Sequence, residues 1–280
     1  MTIEIPKPGK VERTPGNKKR IYIYGSPTTG KTYFATAFPK ALILSTDGNY
    51  KFFDTPAIDI VARPKAKIGE KVIMQSAWEG FEEIVDSLAA GTEFQTIIID
   101  LLEDVYEACR QFVLKREELD YEPNNDFGKT YKMIDDEFMR VMKKLNDLQY
   151  ENIIYISHDK SALAPAIKKG GEDINTILPN IKEKVARKIT GYTDFTGRIV
   201  ANEGEYFLSI KQSPKIYGGG RGEFMNVDVE LPATPKDCEG ETPIYQNIKA
   251  LYEGKLAKKE EKKEEPKQKV QLKIKKKEDE

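Results

Sequence analysis

The 280-residue sequence predicts an α/β fold, a mostly parallel sheet with helices on both faces. Three observations carry this expectation. Short apolar, largely β-branched or aromatic runs recur at 21–24, 41–45, 96–100 and 152–157. Stretches of helical periodicity lie between them, at 76–90, 101–119 and 129–148. A glycine-bearing loop joins the first run to the first helix. Runs apolar at every position, rather than at alternate ones, mark strands covered on both faces.

Taken in order, Ile21 to Tyr24 is the first strand and Thr32 to Phe38 the first, short helix. Ala41 to Ser45 is a buried strand and Ile58 to Val61 a lesser one. Ser76 to Ala90 is helical, with Trp78, Phe81, Ile84, Val85 and Leu88 on one face and Gly91 ending it. Thr96 to Asp100 is the strongest strand, closed by an acid. Helices over 101–119 and 129–148 follow, divided by the turn-like Glu122 to Asp126, and Asn152 to Ser157 is the next buried strand. Thr193 to Ala201 and Tyr206 to Gln212 flank Asn202-Glu203-Gly204-Glu205 as an antiparallel hairpin. A glycine-rich loop at 217–222 and a last short helix near Tyr245 to Glu253 complete the body. From Gly254 onward the chain is nearly all Lys and Glu, a composition that predicts disorder.

The loop Gly25-Ser26-Pro27-Thr28-Thr29-Gly30-Lys31-Thr32 has the spacing of a phosphate-binding loop between strand and helix. Its glycines let the backbone curl with N–H groups turned inward. Lys31 reaches the β- and γ-phosphates of a nucleoside triphosphate, and the Thr32 hydroxyl holds Mg²⁺. Asp100, at the end of a buried strand, is placed to hold the same ion through water. Leu101 follows it, so the attacking water must be activated from elsewhere. Asp47, just after the second strand, is the best candidate, with Glu103 and Asp104 as alternatives in the next helix. His158, the single histidine, falls at the same strand-end rim and is placed to sense the γ-phosphate.

Composition bounds the rest. With 39% hydrophobic and 32% charged residues, a compact body carries polar extensions. No apolar run approaches the ~18 residues of a membrane span, and 1–6 lack a signal peptide's apolar region, which predicts a cytoplasmic protein. Cys109 and Cys238 lie far apart and read as reduced thiols. The net charge of −1 conceals unlike parts: 254–280 carry 11 Lys against 7 acids, leaving 34 basic and 39 acidic residues on 1–253.

Gly25 to Thr32, Asp47, Asp100 without a following Glu, and Ser157-His158 together resemble the RecA-like P-loop ATPase core. More narrowly, with Asp126-Phe127-Gly128-Lys129-Thr130-Tyr131, they resemble the phage nucleotide-binding proteins that act as small single-strand-annealing recombinases. The resemblance covers about 18–235. It implies a RecA-like domain over 18–253, after an extension at 1–17 and before a tail at 254–280. It also implies Mg²⁺-dependent ATP hydrolysis in phage DNA recombination, annealing or replication, in the host cytoplasm. Asp47 stands where that pattern has Glu, and its shorter arm implies slow hydrolysis.

Partners follow from the same reading. An oligomer could complete its site with Arg221 from a neighbouring copy, with Lys211 and Lys215 as further candidates. Single-stranded DNA would meet the loop after His158, with Lys160, Lys168, Lys169, Gly170 and Gly171, and the cluster Lys18 to Arg20. In the tail, Val270, Leu272 and Ile274 alternate with Gln271 and Lys273, a strand-like pattern suited to a single-strand-binding protein. Two other functions stay open, an ATP-gated binding module with little turnover and an ATPase that loads another replication protein.

Overall fold

Each central strand feeds two cores, because successive side chains point to opposite faces of a sheet. Ile97, Ile99, Ile153 and Tyr155 pack into one cluster with Trp78, Phe81, Val105 and Phe138. Ile98, Ile154, Ile156, Ile21 and Ile23 enter the other, with Phe34, Phe38, Ile244 and Ile248. This two-sided burial is why the strands read as unbroken apolar runs.

A computed structural model describes residues 18–255, apart from 124, 165–172, 203, 235–237 and 239. Its strands are β1 (Lys19–Gly25), β2 (Ala41–Ser45), β3 (Ala57–Asp59), β4 (Arg63–Ile68), β5 (Lys71–Gln75), β6 (Thr96–Asp100), β7 (Asn152–Ala164), β8 (Ile174–Pro179), β9 (Phe195–Asn202), β10 (Glu205–Ser209), β11 (Gly219–Gly220) and β12 (Asp228–Glu230). Its helices are α1 (Lys31–Thr36), α2 (Ala77–Ala89), α3 (Leu102–Arg116), α4 (Lys129–Asp147), α5 (Glu183–Tyr192) and α6 (Pro243–Tyr252).

The main sheet runs β12-β10-β9-β1-β7-β6-β2-β3. From β3 to β9 neighbouring strands are parallel; β9 and β10 form the expected antiparallel hairpin, and β12 adds an unforeseen third antiparallel strand at that end. The α/β class, the parallel sheet and the hairpin are therefore as predicted. β7 lies between β1 and β6, so the strand before the glycine loop and the strand ending in Asp100 are second neighbours. β1, β2 and β6 end at one rim, where β7 passes beside them: Gly25 pairs with His158, and Asp100 pairs with Ser45 and with Ile156.

Local chemistry sets the helix starts. Ser76 and Glu79 cap α2 reciprocally, the Glu79 N–H donating to Ser76 Oγ (3.2 Å) and the Ser76 N–H to Glu79 Oε2 (2.8 Å). Asp126 opens α4, accepting from the Gly128 and Thr130 N–H groups at 2.8 Å each. The segment that contributed to the family resemblance is thus a helix-start device.

Three features depart from the sequence reading. β7 does not stop at Ser157; it continues to Ala164 and pairs antiparallel with β8, so the residues just after His158 are a hairpin arm and not a loop. β4 and β5 form a separate two-stranded hairpin over a stretch that carried no expectation. Helix α5, with Val185, Ala186 and Ile189 buried, was likewise unforeseen. The extension at 1–17, Lys168 to Gly171 and the tail from 256, including Val270, Leu272 and Ile274, lie outside the described residues.

Candidate nucleotide site

The loop after β1 is shaped by two glycines with different duties. A Cβ on Gly25 would lie 2.7 Å from the Ile199 carbonyl oxygen, so β9 can lie against the loop only where that residue has no side chain. Gly30 has φ +83°, the left-handed turn from which α1 starts. Pro27 and Thr28 form the exposed crest, and Thr29 Oγ1 closes the loop by donating to Ser26 O at 2.8 Å.

Lys31 is buried beneath this crest. Its ammonium donates to Gly25 O (3.0 Å) and Ser26 O (2.8 Å). Burial lowers its pKa, opposed by the negative charges of Asp100, Asp159 and Glu103. On the next residue, Thr32 Oγ1 donates to Asp100 Oδ2 at 2.7 Å, across 68 positions of sequence.

Asp100 is only 4% exposed. Burial pushes its pKa up to about 6; the Thr32 hydrogen bond and Lys31 oppose the rise, while Asp47 and Glu103 add to it. The Thr32 hydroxyl and this carboxylate make an all-oxygen donor pair, the kind that suits a hard cation taking its other ligands from water and phosphate. The residues present therefore fit both a triphosphate and Mg²⁺. When bound, the ion neutralises charge on the phosphate oxygens.

The water-activating candidates separate clearly. Asp47 stands at the rim, but it is exposed and caps its own turn. Its carboxylate accepts from Ser45 Oγ (3.3 Å) and the Asn49 N–H (3.0 Å), and from the Asn49 side-chain amide. Asp104 is exposed and accepts from Thr46 Oγ1 at 2.9 Å. Glu103 faces inward: its Oε1 accepts from the His158 N–H (2.8 Å) and lies 3.2 Å from His158 Nδ1. Its Oε2 is buried with no hydrogen-bond partner among the described residues, and burial raises its pKa. His158 has a lowered pKa, through burial first and then the nearby Lys31 charge.

Two further features were not read from the sequence. Asp159, one residue past His158, accepts from the loop's Ser26 Oγ (3.0 Å) and from Arg198 Nη2 of β9 (2.9 Å). A cavity of about 510 Å³ adjoins Thr29 and Gly30, walled by Tyr33, Phe34, Leu231 and Tyr206. The Tyr206 ring passes over Gly30, within 3.8 Å of where a Cβ would stand. Only long-range packing brings Asp159, Arg198, Tyr206 and Leu231 to the loop.

Several basic candidates are elsewhere. Lys19 and Arg20 are buried, not a surface cluster. The Arg20 guanidinium donates to the carbonyls of Asn146, Leu148 and Tyr150, closing the end of α4, and Lys19 sits over the rings of Tyr245 and Tyr252. Carbonyls left open at a helix end explain why a guanidinium is drawn there. Lys160 Nζ donates to Ile181 O at 3.0 Å, and Lys211 pairs with Asp228 at 2.7 Å. Arg221 donates to Gly191 O at 3.0 Å. It follows β11, whose Gly220 pairs with Phe195, and Phe195 pairs with Ile21 at the end of β1 remote from the loop. Within its own subunit Arg221 is therefore far from Lys31.

A phosphate-binding loop ending the central strand of a parallel sheet, with a buried acid two strands away hydrogen-bonded to the loop's threonine, defines a P-loop NTPase of α/β architecture. Residues 17–222 match the AAA domain family, and the chain belongs to it. Among solved structures it is similar to the RadB recombinase, with a TM-score of 0.33 and 11% identity over 68% of this chain and 78% of that one. No curated protein matches it.

Proposed function

We propose that the protein is a Mg²⁺-dependent ATP hydrolase that acts in phage DNA recombination, single-strand annealing or replication. The observation that carries the hydrolase reading is the meeting of Lys31, Thr32 and Asp100 at one rim, with Glu103 and His158 facing the same space. Lys31 supplies charge to the phosphates, and Thr32 with Asp100 holds the ion. Glu103 orients the attacking water. Its inward-turned carboxylate, bonded to the His158 N–H at the rim, supports this role over Asp47, whose oxygens already cap a turn. His158, tied to Glu103 and heading the β7–β8 arm, relays the state of the γ-phosphate to that arm. The nucleobase rests in the cavity beside Gly30, between Tyr33 and Tyr206.

Residues 18–253 form the ATPase domain, a reading supported by β1 and α6 sharing one core. Among the described residues no helix is long and apolar enough to cross a membrane, which accords with a site of action in the host cytoplasm. The DNA role rests on the motif resemblance, and on arms that could carry it: the β7–β8 hairpin and the β4–β5 hairpin with exposed Lys65 and Lys67. Arg221 of a neighbouring copy and a single-strand-binding protein at the tail complete the proposed assembly.

Release of phosphate from ATP, with and without single-stranded DNA and with Lys31→Ala as control, tests this reading. Stimulated turnover that the control lacks supports it. A second reading, an ATP-gated binding module, draws support from the fixed Glu103–His158 contact, which would keep turnover low. It expects tight ATP-dependent DNA association with almost no phosphate release.

A further inference from the structure

We propose that Arg198 is a phosphate-contacting residue of the same subunit, held on Asp159 until a triphosphate draws it to the loop. The proposal rests on the nucleotide reading of this site. β9 pairs with β1 so that Arg198 lies opposite Tyr24, the residue before the loop begins. Its Nη2 donates to Asp159 Oδ2 (2.9 Å), and the same oxygen accepts from Ser26 Oγ of the loop (3.0 Å). Sharing one acceptor, the guanidinium and the loop hydroxyl are at most about 6 Å apart.

The pair is unevenly satisfied. Arg198 Nε is buried and has no hydrogen-bond partner among the described residues. A guanidinium offers five donors in a planar fork suited to phosphate oxygens, and a buried donor without an acceptor is unfavourable until one arrives. Arg221, by contrast, sits at the far end of the sheet in its own subunit.

Asp159 gives the arrangement its direction. Its charge acts on Lys31, so it lies close enough to repel an incoming triphosphate. Arg198 offsets that charge in the absence of nucleotide. With a triphosphate on the loop, the more highly charged phosphates compete for the guanidinium and Ser26 is released from Asp159. A diphosphate, lacking the terminal group, competes less well.

The test is the affinity of the whole protein for a non-hydrolysable ATP analogue and for ADP, both with Mg²⁺, measured by calorimetry, together with melting of the nucleotide-free protein. Arg198→Ala should weaken the analogue about tenfold or more while ADP stays within about twofold. Asp159→Asn should bind the analogue more tightly than the parent, tighten ADP by a smaller factor, and melt at a lower temperature without nucleotide. Arg198→Lys keeps charge without the fork and should fall between parent and Ala for the analogue alone; it decides the matter if the Ala variant does not fold. Equal losses for analogue and ADP, or no loss for either, would overturn the proposal and leave Arg198 as a structural ion pair. Failure of the nucleotide reading looks different: the parent protein would bind neither ligand better than Lys31→Ala does.

Discussion

Replacing Asp100 by Asn should stabilise the nucleotide-free protein while disabling its response to Mg²⁺ and ATP. The carboxyl is 4% exposed and its pKa is pushed up to about 6 from an ordinary 3.8. A difference of that size disfavours the folded state by about 3 kcal/mol once the group is ionised in both states. The sign follows from proton uptake: the folded chain protonates Asp100 first as pH falls, so parental stability recovers between about pH 6 and pH 4. Asn keeps an oxygen that can accept from Thr32, and the gain at pH 7.5 should be about 1–3 kcal/mol, shrinking to about a third of that near pH 4.5. Urea unfolding of both proteins at the two pH values measures this. Adding ATP and Mg²⁺ should reverse the order, since the ion neutralises the buried charge only in the parent. A variant no more stable than the parent at pH 7.5, or a gain unchanged at pH 4.5, would refute the reasoning.

Four other outcomes are expected. Lys31→Ala should abolish hydrolysis and weaken triphosphate binding, because its charge-assisted contacts have no substitute in the loop; fluorescence titration with a labelled ATP reads this. Glu103→Gln should lower single-turnover hydrolysis by about two orders of magnitude with ATP affinity nearly intact, whereas Asp47→Asn should change it by less than about fivefold; the opposite ranking would restore Asp47 as the water-orienting group. Tyr206→Ala should weaken ATP binding about tenfold while leaving inorganic triphosphate binding unchanged, by competition titration. Gly25→Ala forces a Cβ against the Ile199 carbonyl and should cost about 1–3 kcal/mol in chemical unfolding, with nucleotide binding lost as β9 is displaced.

Much of the fold was legible because local and global preferences agree. Ile21 to Tyr24, Ile97 to Ile99 and Ile153 to Ile156 are apolar at every position, and the sheet buries both faces of each. The capped start of α2 at Ser76 needed only four neighbouring residues. By contrast, β7 past Ser157 is polar, Asp159-Lys160-Ser161, and only its partner strand β8 holds it extended. Lys19 and Arg20 look like surface charge because nothing nearby in sequence announces the α4 carbonyls or the two tyrosine rings that cover them.

The division within the candidate site has the same physical origin. The phosphate loop is a contiguous motif: glycine freedom, a lysine and a threonine at set spacing act through backbone geometry a few residues long, and the sequence by itself determined it together with the acid ending β6. The inward turn of Glu103 against the exposed, turn-capping Asp47, the joining of Asp159 and Arg198 at Ser26, and the removal of Arg221 to the other end of the sheet are visible only in the tertiary structure. Each depends on strand register and on which side chain is turned inward, and a pairing between residues tens of positions apart leaves no mark in the chain around either one.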